Sequence, residues 1–206
     1  VGYASLWQNT SGADNVAIGK GALQNNTTAG VNTAVGEKAG YTGTTGDANV
    51  FVGEEAGYTA NSNRNTFIGR HAGREMNATG TAQNTFLGCF SGRYVTTGTK
   101  NTIIGAYDGN QDSLDIRTSS NNIVLSDGDG NARAYFRSNG DWQFHGNTSN
   151  AYGAIIENKA STGPNGLLVR FLNNSDDNGN KNFFECRDGA ATRMRILNDG
   201  DVQNHE

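Results

Sequence analysis

The sequence has few apolar residues, two cysteines and a single proline. Of its 206 residues only 34% are hydrophobic. Low apolar content is normally a sign of disorder, which goes with high net charge and no periodicity. Here the formal net charge is only −4, and the sequence is strongly periodic. We therefore expect a folded chain whose few apolar residues lie together, with part of the core shared between copies of the chain.

Three further absences exclude classes of function. No apolar run is long enough to span a membrane, so we expect no membrane insertion. The 16 Lys and Arg residues are scattered and form no basic patch, which argues against a nucleic-acid partner. Cys89 and Cys186 lie in different regions of the chain, so there is no disulfide framework. This fits a protein made in a reducing cytoplasm.

In place of these features the sequence carries a recurring motif, "NTAVGEKAGY" in one copy and "NTFIGRHAGR" in another. The steps between successive copies are 17, 17, 16, 19 and 17 residues. A period of this size predicts a solenoid of stacked turns, with surface loops where the length varies. We expect the asparagines to form a side-chain ladder and the glycines to end the strands at positive φ. The first and fifth residues of the six copies are Asn15 and Gly19, Asn32 and Gly36, Asn49 and Gly53, Asn65 and Gly69, Asn84 and Gly88, and Asn101 and Gly105.

Each copy also predicts a short strand that is apolar on both faces. The third residues point to one face and the fourth residues to the other. Because a small solenoid has only one interior, the second face needs another surface, most simply the same face of a symmetry mate. The third residues are Ala17, Ala34, Phe51, Phe67, Phe86 and Ile103, and the fourth are Ile18, Val35, Val52, Ile68, Leu87 and Ile104.

The repeat ends near residue 111, and a different sequence pattern follows it. Residues 121–145 resemble residues 181–205 at an offset of 60, and both contain alternating strands broken by Asp-Gly or Asn-Gly turns. We therefore predict an all-β chain with a β-roll or β-helix solenoid at 1–110. A β-meander or sandwich-like module with an internal duplication follows at 111–206. A left-handed β-helix acyltransferase is disfavoured, because each repeat has one aliphatic cluster rather than three.

The "NTAVGEKAGY" copies resemble the repeats of bacteriophage tail fibres and are similar to the heads of trimeric autotransporter adhesins. The segment "LNDGDVQN", 197–204, resembles the one that precedes an endosialidase-type intramolecular chaperone. The resemblance implies a homotrimer on the extracellular face of a virion, made in the host cytoplasm. It would bind other tail or fibre proteins and a host glycan or protein receptor. A bacterial trimeric surface adhesin and a polysaccharide-degrading tail spike are the alternatives.

The search for catalytic residues finds no constellation, so we expect neither an enzyme nor a cofactor. His71, at a variable position of the repeat, is expected to be a solvated surface histidine. Glu37 and Glu54 lie on neighbouring repeats, where a tail spike would need paired carboxylates. Because Lys20 and Arg70 occupy the same column, a surface charge ladder is the better interpretation.

No metal site is expected either. Asp127, Asp129 and Asn131 imitate the start of a calcium-binding loop. However, the twelfth position is Ser138 and not glutamate, and the flanking segments are predicted strands. A hairpin turn is therefore favoured.

Receptor binding is the remaining prediction. Glycan sites combine exposed aromatic rings with amides and carboxylates, and the second half of the chain contains such residues. The same aromatic rings are equally well explained as core. The predicted receptor-binding residues are Trp142, Tyr135, Tyr152, Asn173, Asp176 and Asp177.

Overall fold

The computed structural model describes residues 1–144, 182–188, 191–197 and 202–204. All regular structure in these ranges is β, which confirms the predicted all-β class. The chain divides into two compact units, Val1–Ile155 and Ile156–Glu206.

The first unit is a parallel β-solenoid of about six turns, and it confirms the solenoid prediction. Each turn contributes one short strand, and the strands pair in parallel without a shift of register. A small antiparallel hairpin, β7 with β8, interrupts the last turn. The strands are β1 (Val16–Ile18), β2 (Thr33–Val35), β3 (Val50–Val52), β4 (Thr66–Ile68), β5 (Thr85–Leu87), β6 (Thr102–Ile104), β7 (Asn110–Gln111), β8 (Leu114–Asp115) and β9 (Ile123–Ser126).

The third residues of the repeats form the core of the solenoid. All of them are buried, as is Val124 of β9. In the middle of the stack the Phe67 ring lies parallel to Phe86, with centroids 4.8 Å apart, and 5.6 Å from the centroid of Phe51. In-register pairing places equivalent side chains directly above one another, so the core is a column of stacked rings.

The predicted asparagine ladder is present, and its members from Asn32 onward are buried. Each asparagine Oδ1 accepts a hydrogen bond of 2.8–3.0 Å from the backbone N–H of the next asparagine. The ladder ends at Asn122, which is 3% exposed. Sequence reasoning missed this seventh member because it follows Asn101 by 21 residues and Ser126 replaces the usual glycine.

The strand-ending glycines have positive φ, as predicted, between 112° and 139°. At Gly53 a Cβ would lie 2.6 Å from the carbonyl carbon and oxygen of Gly69, so the next turn leaves no room for a side chain. The residue before each ladder asparagine also has positive φ, although it is never glycine. This second left-handed position was not predicted. Its residues are Asp14, Val31, Ala48, Arg64, Gln83, Lys100 and Asn121, with φ of 55–62°.

The sheet does not end at the predicted boundary near residue 111. Strand β9 pairs in parallel with β6 on one side and antiparallel with β10 (Ala132–Phe136) on the other, and β10 pairs with β11 (Trp142–Phe144). The result is one nine-stranded sheet. The sheet extends beyond the last copy of the repeat motif. The asparagine ladder also extends by one member, Asn122, which directly precedes β9.

In the second unit β12 (Asn182–Asp188), β13 (Ala191–Leu197) and β14 (Val202–Asn204) form an antiparallel sheet of three strands. The offset of 60 residues relates its second hairpin to that of β10 and β11. Phe136 pairs with Trp142, and Ile196 pairs with Val202 in the same register.

Candidate functional site

An exposed apolar surface lies on the side of the nine-stranded sheet that turns away from the core, here called the outer face. In the solenoid it consists of the second and fourth residues of each repeat copy, which are the first and third residues of the strand. Ile18, Leu87 and Ile104 are each 44–46% exposed. Within the described residues, the second apolar side of the strands is therefore left uncovered.

The outer face carries no charged side chain along the solenoid strands. Its residues are valine, isoleucine, leucine and threonine only. Parallel pairing aligns them in two continuous columns, in which neighbouring strands are about 4.8 Å apart. The second residues are Val16, Thr33, Val50, Thr66, Thr85, Thr102 and Ile123, and the fourth are Ile18, Val35, Val52, Ile68, Leu87, Ile104 and Leu125.

The outer face continues from the solenoid onto the antiparallel strands. Ile123 pairs with Phe136, and Phe136 pairs with Trp142, so these side chains point to the same side of the sheet. Trp142 is 62% exposed, and its ring contacts Phe144 edge to face with centroids 5.4 Å apart. Exposed apolar surfaces of this extent mark interaction sites rather than ordinary solvent-facing surface.

The structure separates the predicted receptor-binding residues. Trp142 lies on the outer face, whereas Tyr135 belongs to the core and is 5% exposed. The guanidinium of Arg137 lies 5.1 Å from the centroid of the Tyr135 ring. Phe136 and Phe144 were missed by sequence reasoning, although the Trp-Gln-Phe alternation of β11 places Phe144 on the same side as Trp142. Tyr152, Asn173, Asp176 and Asp177 lie outside the described residues.

The turns of the solenoid carry the predicted charge ladder. Arg70 Nε lies 3.0 Å from Glu54 Oε2, and Lys20 Nζ lies 3.6 Å from Glu37 Oε1. Glu55 accepts a hydrogen bond of 2.6 Å from Arg74 Nε, which lowers the pKa of the carboxyl group. Each of these carboxylates is therefore paired with a Lys or Arg side chain of an adjacent turn.

The expectation of a solvated histidine is wrong for His71. Its side chain is 12% exposed, lies 3.5 Å from Glu55 and meets the Phe90 ring edge to face at a centroid distance of 5.4 Å. Burial lowers the pKa of the imidazole. The turn of the next repeat covers the ring, a contact between residues 19 apart that a one-dimensional pattern does not display.

The segment from Asp127 to Asn131 is a hairpin turn, as favoured from the sequence. Asp127 Oδ1 accepts hydrogen bonds of 3.0 Å from the backbone N–H groups of Asp129 and Asn131, and Oδ2 accepts from the guanidinium of Arg133. The hydrogen bond from the Asn131 side chain is the largest contribution that lowers the pKa of Asp127, to about 2. Within the described ranges no cluster of three or more His, Cys, Asp or Glu side chains is suited to hold a metal ion.

Comparison with protein-family models, with curated proteins and with solved structures finds no match to this chain. None of the structure that is described up to residue 144 or in the three later strands forms a helix that could cross a membrane. The candidate site therefore rests on the residues themselves.

Proposed function

We propose that this chain is part of a viral tail fibre that attaches the virion to a host cell surface, and that it acts as a homotrimer. The uncharged, apolar outer face carries the proposal. It runs along all nine strands of the sheet, and the repeat reproduces it in every turn although no other described segment of the chain covers it. The assignment to a tail fibre and the trimeric state are inferred from the resemblance of the repeats to tail-fibre sequences.

Association through the outer face is favoured by the hydrophobic effect. Covering apolar surface contributes about 25 cal/mol per Å², and the outer face offers half-exposed aliphatic side chains at every turn together with Phe136, Trp142 and Phe144. Three copies related by a threefold axis each turn this face toward the axis and leave no copy of it exposed. Closed symmetry also stops growth at a defined size.

A trimer would also explain how weak receptor contacts become firm attachment. Three identical sites on one particle bind a multivalent surface with an avidity about 10²–10⁴ above that of one site. The turns of the solenoid, which carry the charged and aromatic side chains, remain outside such a trimer. The receptor, a surface glycan or a protein, would therefore meet the turns or the far ends of the chain.

The first test is the mass of the chain in solution, measured by light scattering over a range of dilutions. We expect three times the 21.8 kDa of one chain. Replacing Leu87 and Ile104 together by aspartate should reduce the mass to that of one chain, because each copy would bring buried carboxylates to the interface. The matched control replaces Thr28 and Thr97, exposed residues of the turns, by aspartate and should leave the mass unchanged. A single-chain mass for the unaltered protein at micromolar concentration would overturn the proposal, and a mass of two chains would replace the threefold axis by a twofold one.

The second test is attachment. Fluorescently labelled trimer should bind cells of the host that the virus infects and should compete with intact virions for them. Failure to bind those cells would leave a trimer without an attachment role.

A further inference from the structure

A second surface lies on the turns of the solenoid, away from the outer face of the sheet. It is an open groove of about 330 Å³ that crosses three consecutive turns. Small-molecule sites begin at about this volume. The residues that line the groove are Glu75, Tyr94, Thr96, Asp115, Arg117 and Thr118.

The groove has a rigid floor because main-chain hydrogen bonds hold the three turns together. The N–H of Glu75 donates to the carbonyl of Arg93 at 3.1 Å, and the N–H of Thr96 donates to the carbonyl of Arg117 at 2.9 Å. Three lining residues, Glu75, Thr96 and Arg117, thus take part directly in these hydrogen bonds. A site built on rigid elements keeps its side chains in a fixed geometry without a ligand.

Three of the lining residues, Tyr94, Asp115 and Arg117, depart from the repeat. The positions equivalent to Tyr94 in the four preceding turns hold Asn25, Thr42, Thr59 and Glu75. An aromatic ring is therefore not needed there for stacking. The inserted β7 and β8 hairpin ends with Asp115, and Arg117 follows it. Departures from a locally consistent pattern are expected at functional positions.

The orientation of the Tyr94 ring is fixed by a cation. The guanidinium of Arg93 lies 4.9 Å from the centroid of the Tyr94 ring and 5.4 Å from that of Phe90. Arg93 forms no ion pair with any described carboxylate, so the two rings are its main contacts. Tyr94 is half-buried and presents a held aromatic surface to the groove.

The polar groups of the groove are also fixed. Arg117 Nε and Nη2 donate to the two oxygens of Asp115 at 3.0 and 2.8 Å, a bidentate pair. These hydrogen bonds lower the pKa of Asp115, so the carboxylate stays an acceptor at neutral pH. Thr96 and Thr118 add hydroxyl groups.

We infer that this groove binds a saccharide unit. A sugar ring has an apolar C–H face that stacks on an aromatic ring and a rim of hydroxyls that both donate and accept. Tyr94 supplies the platform, Glu75 and Asp115 supply acceptors, and Arg117 supplies donors. A peptide would need apolar pockets or an open strand edge, and apart from the Tyr94 ring the lining side chains are polar. The inference rests on the proposed attachment function and names the receptor class for it.

The test uses the full chain on an array of bacterial and animal cell-surface glycans, followed by calorimetry with the glycan that binds best. Tyr94→Ala should weaken that binding at least tenfold, Asp115→Asn should weaken it as well, and Tyr94→Phe should retain the platform and most of the affinity. The matched control is Tyr41→Ala, since Tyr41 is a half-buried turn tyrosine outside the groove that stacks on Tyr58 at 5.1 Å. No binding to any glycan, or binding that Tyr94→Ala and Asp115→Asn leave unchanged, would overturn the inference.

Cell attachment separates this inference from the proposal on which it rests. If the unaltered trimer attaches to host cells and Tyr94→Ala attaches equally well, the groove is wrong and the attachment function stands. If the unaltered trimer attaches to no host cell, the attachment function itself fails. Attachment could also depend on Tyr94 and yet survive periodate oxidation of the cell-surface sugars. That result would overturn the inference of a saccharide ligand and would favour a protein receptor.

Discussion

The parallel turns of the solenoid and the antiparallel hairpin of β9 and β10 belong to one sheet but are held by contacts of different range. In the turns, the asparagine ladder joins residues 16 to 21 apart in sequence, and neutral groups make all of its hydrogen bonds. In the hairpin, Asp127 binds residues only two to six positions away through an ionised carboxylate. The turns therefore depend on their neighbours in the stack, whereas the hairpin depends on its own sequence and on pH.

The largest effect should come from the stacked core of the turns. Phe67→Ala removes a fully buried ring that contacts Phe51 and Phe86. We expect a loss of about 3–5 kcal/mol in the free energy of unfolding, because the cavity lies between two rings that cannot close it. Denaturant unfolding followed by circular dichroism measures this loss.

Phe90→Ala is the matched control for the core substitution. It makes the same change of atoms on a half-buried ring in the turn, where His71 is its aromatic neighbour. The expected loss is about 1 kcal/mol. Equal losses for the two variants would contradict the view that the ring column holds the turns together.

The ladder should show a smaller but still large effect. In Asn49→Ala the backbone N–H and the Nδ2 group of Asn65 each lose a hydrogen bond to Asn49 Oδ1, of 2.9 and 3.0 Å. Nδ2 keeps its hydrogen bonds to the carbonyl and hydroxyl oxygens of Ser62, but the buried N–H is left without a partner, which costs about 1–3 kcal/mol. Amide hydrogen exchange should show reduced protection in the turns on both sides of the altered one.

Asn61→Ala is the control for the ladder. Asn61 Oδ1 also accepts two backbone hydrogen bonds, from Thr44 and Thr45 at 2.9 Å, but it is exposed. Water replaces the lost acceptor, so the expected cost is about 0.5–1 kcal/mol. A cost as large as that of Asn49→Ala would mean that burial is not what gives the ladder its importance.

The smallest effect should come from the hairpin, and it should depend on pH. The pKa of Asp127 is lowered from 3.8 to about 2 in the folded chain. Because the folded pKa is the lower one, the contribution of the carboxylate is complete above pH 3.8 and disappears as the pH falls through about 2. In Asp127→Asn the protection of the Asn131 amide should be low throughout, so that its difference from the unaltered chain vanishes at acidic pH.

The exposed Asp14 provides the control, since its side chain forms no hydrogen bond or ion pair with a described residue. Asp14→Asn should leave the protection of the Asn131 amide unchanged across the same pH range. A constant difference between Asp127→Asn and the unaltered chain from pH 6 to pH 2 would show that the charge of Asp127 does not hold the turn.

Much of this architecture was predictable because it is periodic. The spacing of Asn32, Asn49 and Asn65 indicated stacked turns, and the structure has one strand for each. What repeats in sequence meets its own copy in space, so the ladder and the glycine turns followed from the pattern. Asn122 was missed because it follows Asn101 by 21 residues, more than the usual period. The exposure of His71 was misjudged because the Phe90 ring that covers it comes from the next turn.

The candidate surfaces were predictable only in part. The two-sided apolar pattern of strands such as Thr66–Ile68 was visible in the sequence, and with it the need for a second covering surface. The groove was not visible, because Tyr94 and Asp115 are separated by 21 residues and by the inserted hairpin. Nothing in the spacing of a repeat reveals where two departures from it come together.

The sequence by itself determined the period, the strand positions and the alternation of their faces, because these depend on neighbours along the chain. The tertiary structure decided which of the two apolar faces became the core and which remained outside. The outcome follows from where the turns close: Gly57 and Gly73 pack against the Phe51 and Phe67 rings with no space for a Cβ. Each turn wraps around one side of its strand, and among the described residues the other side stays exposed.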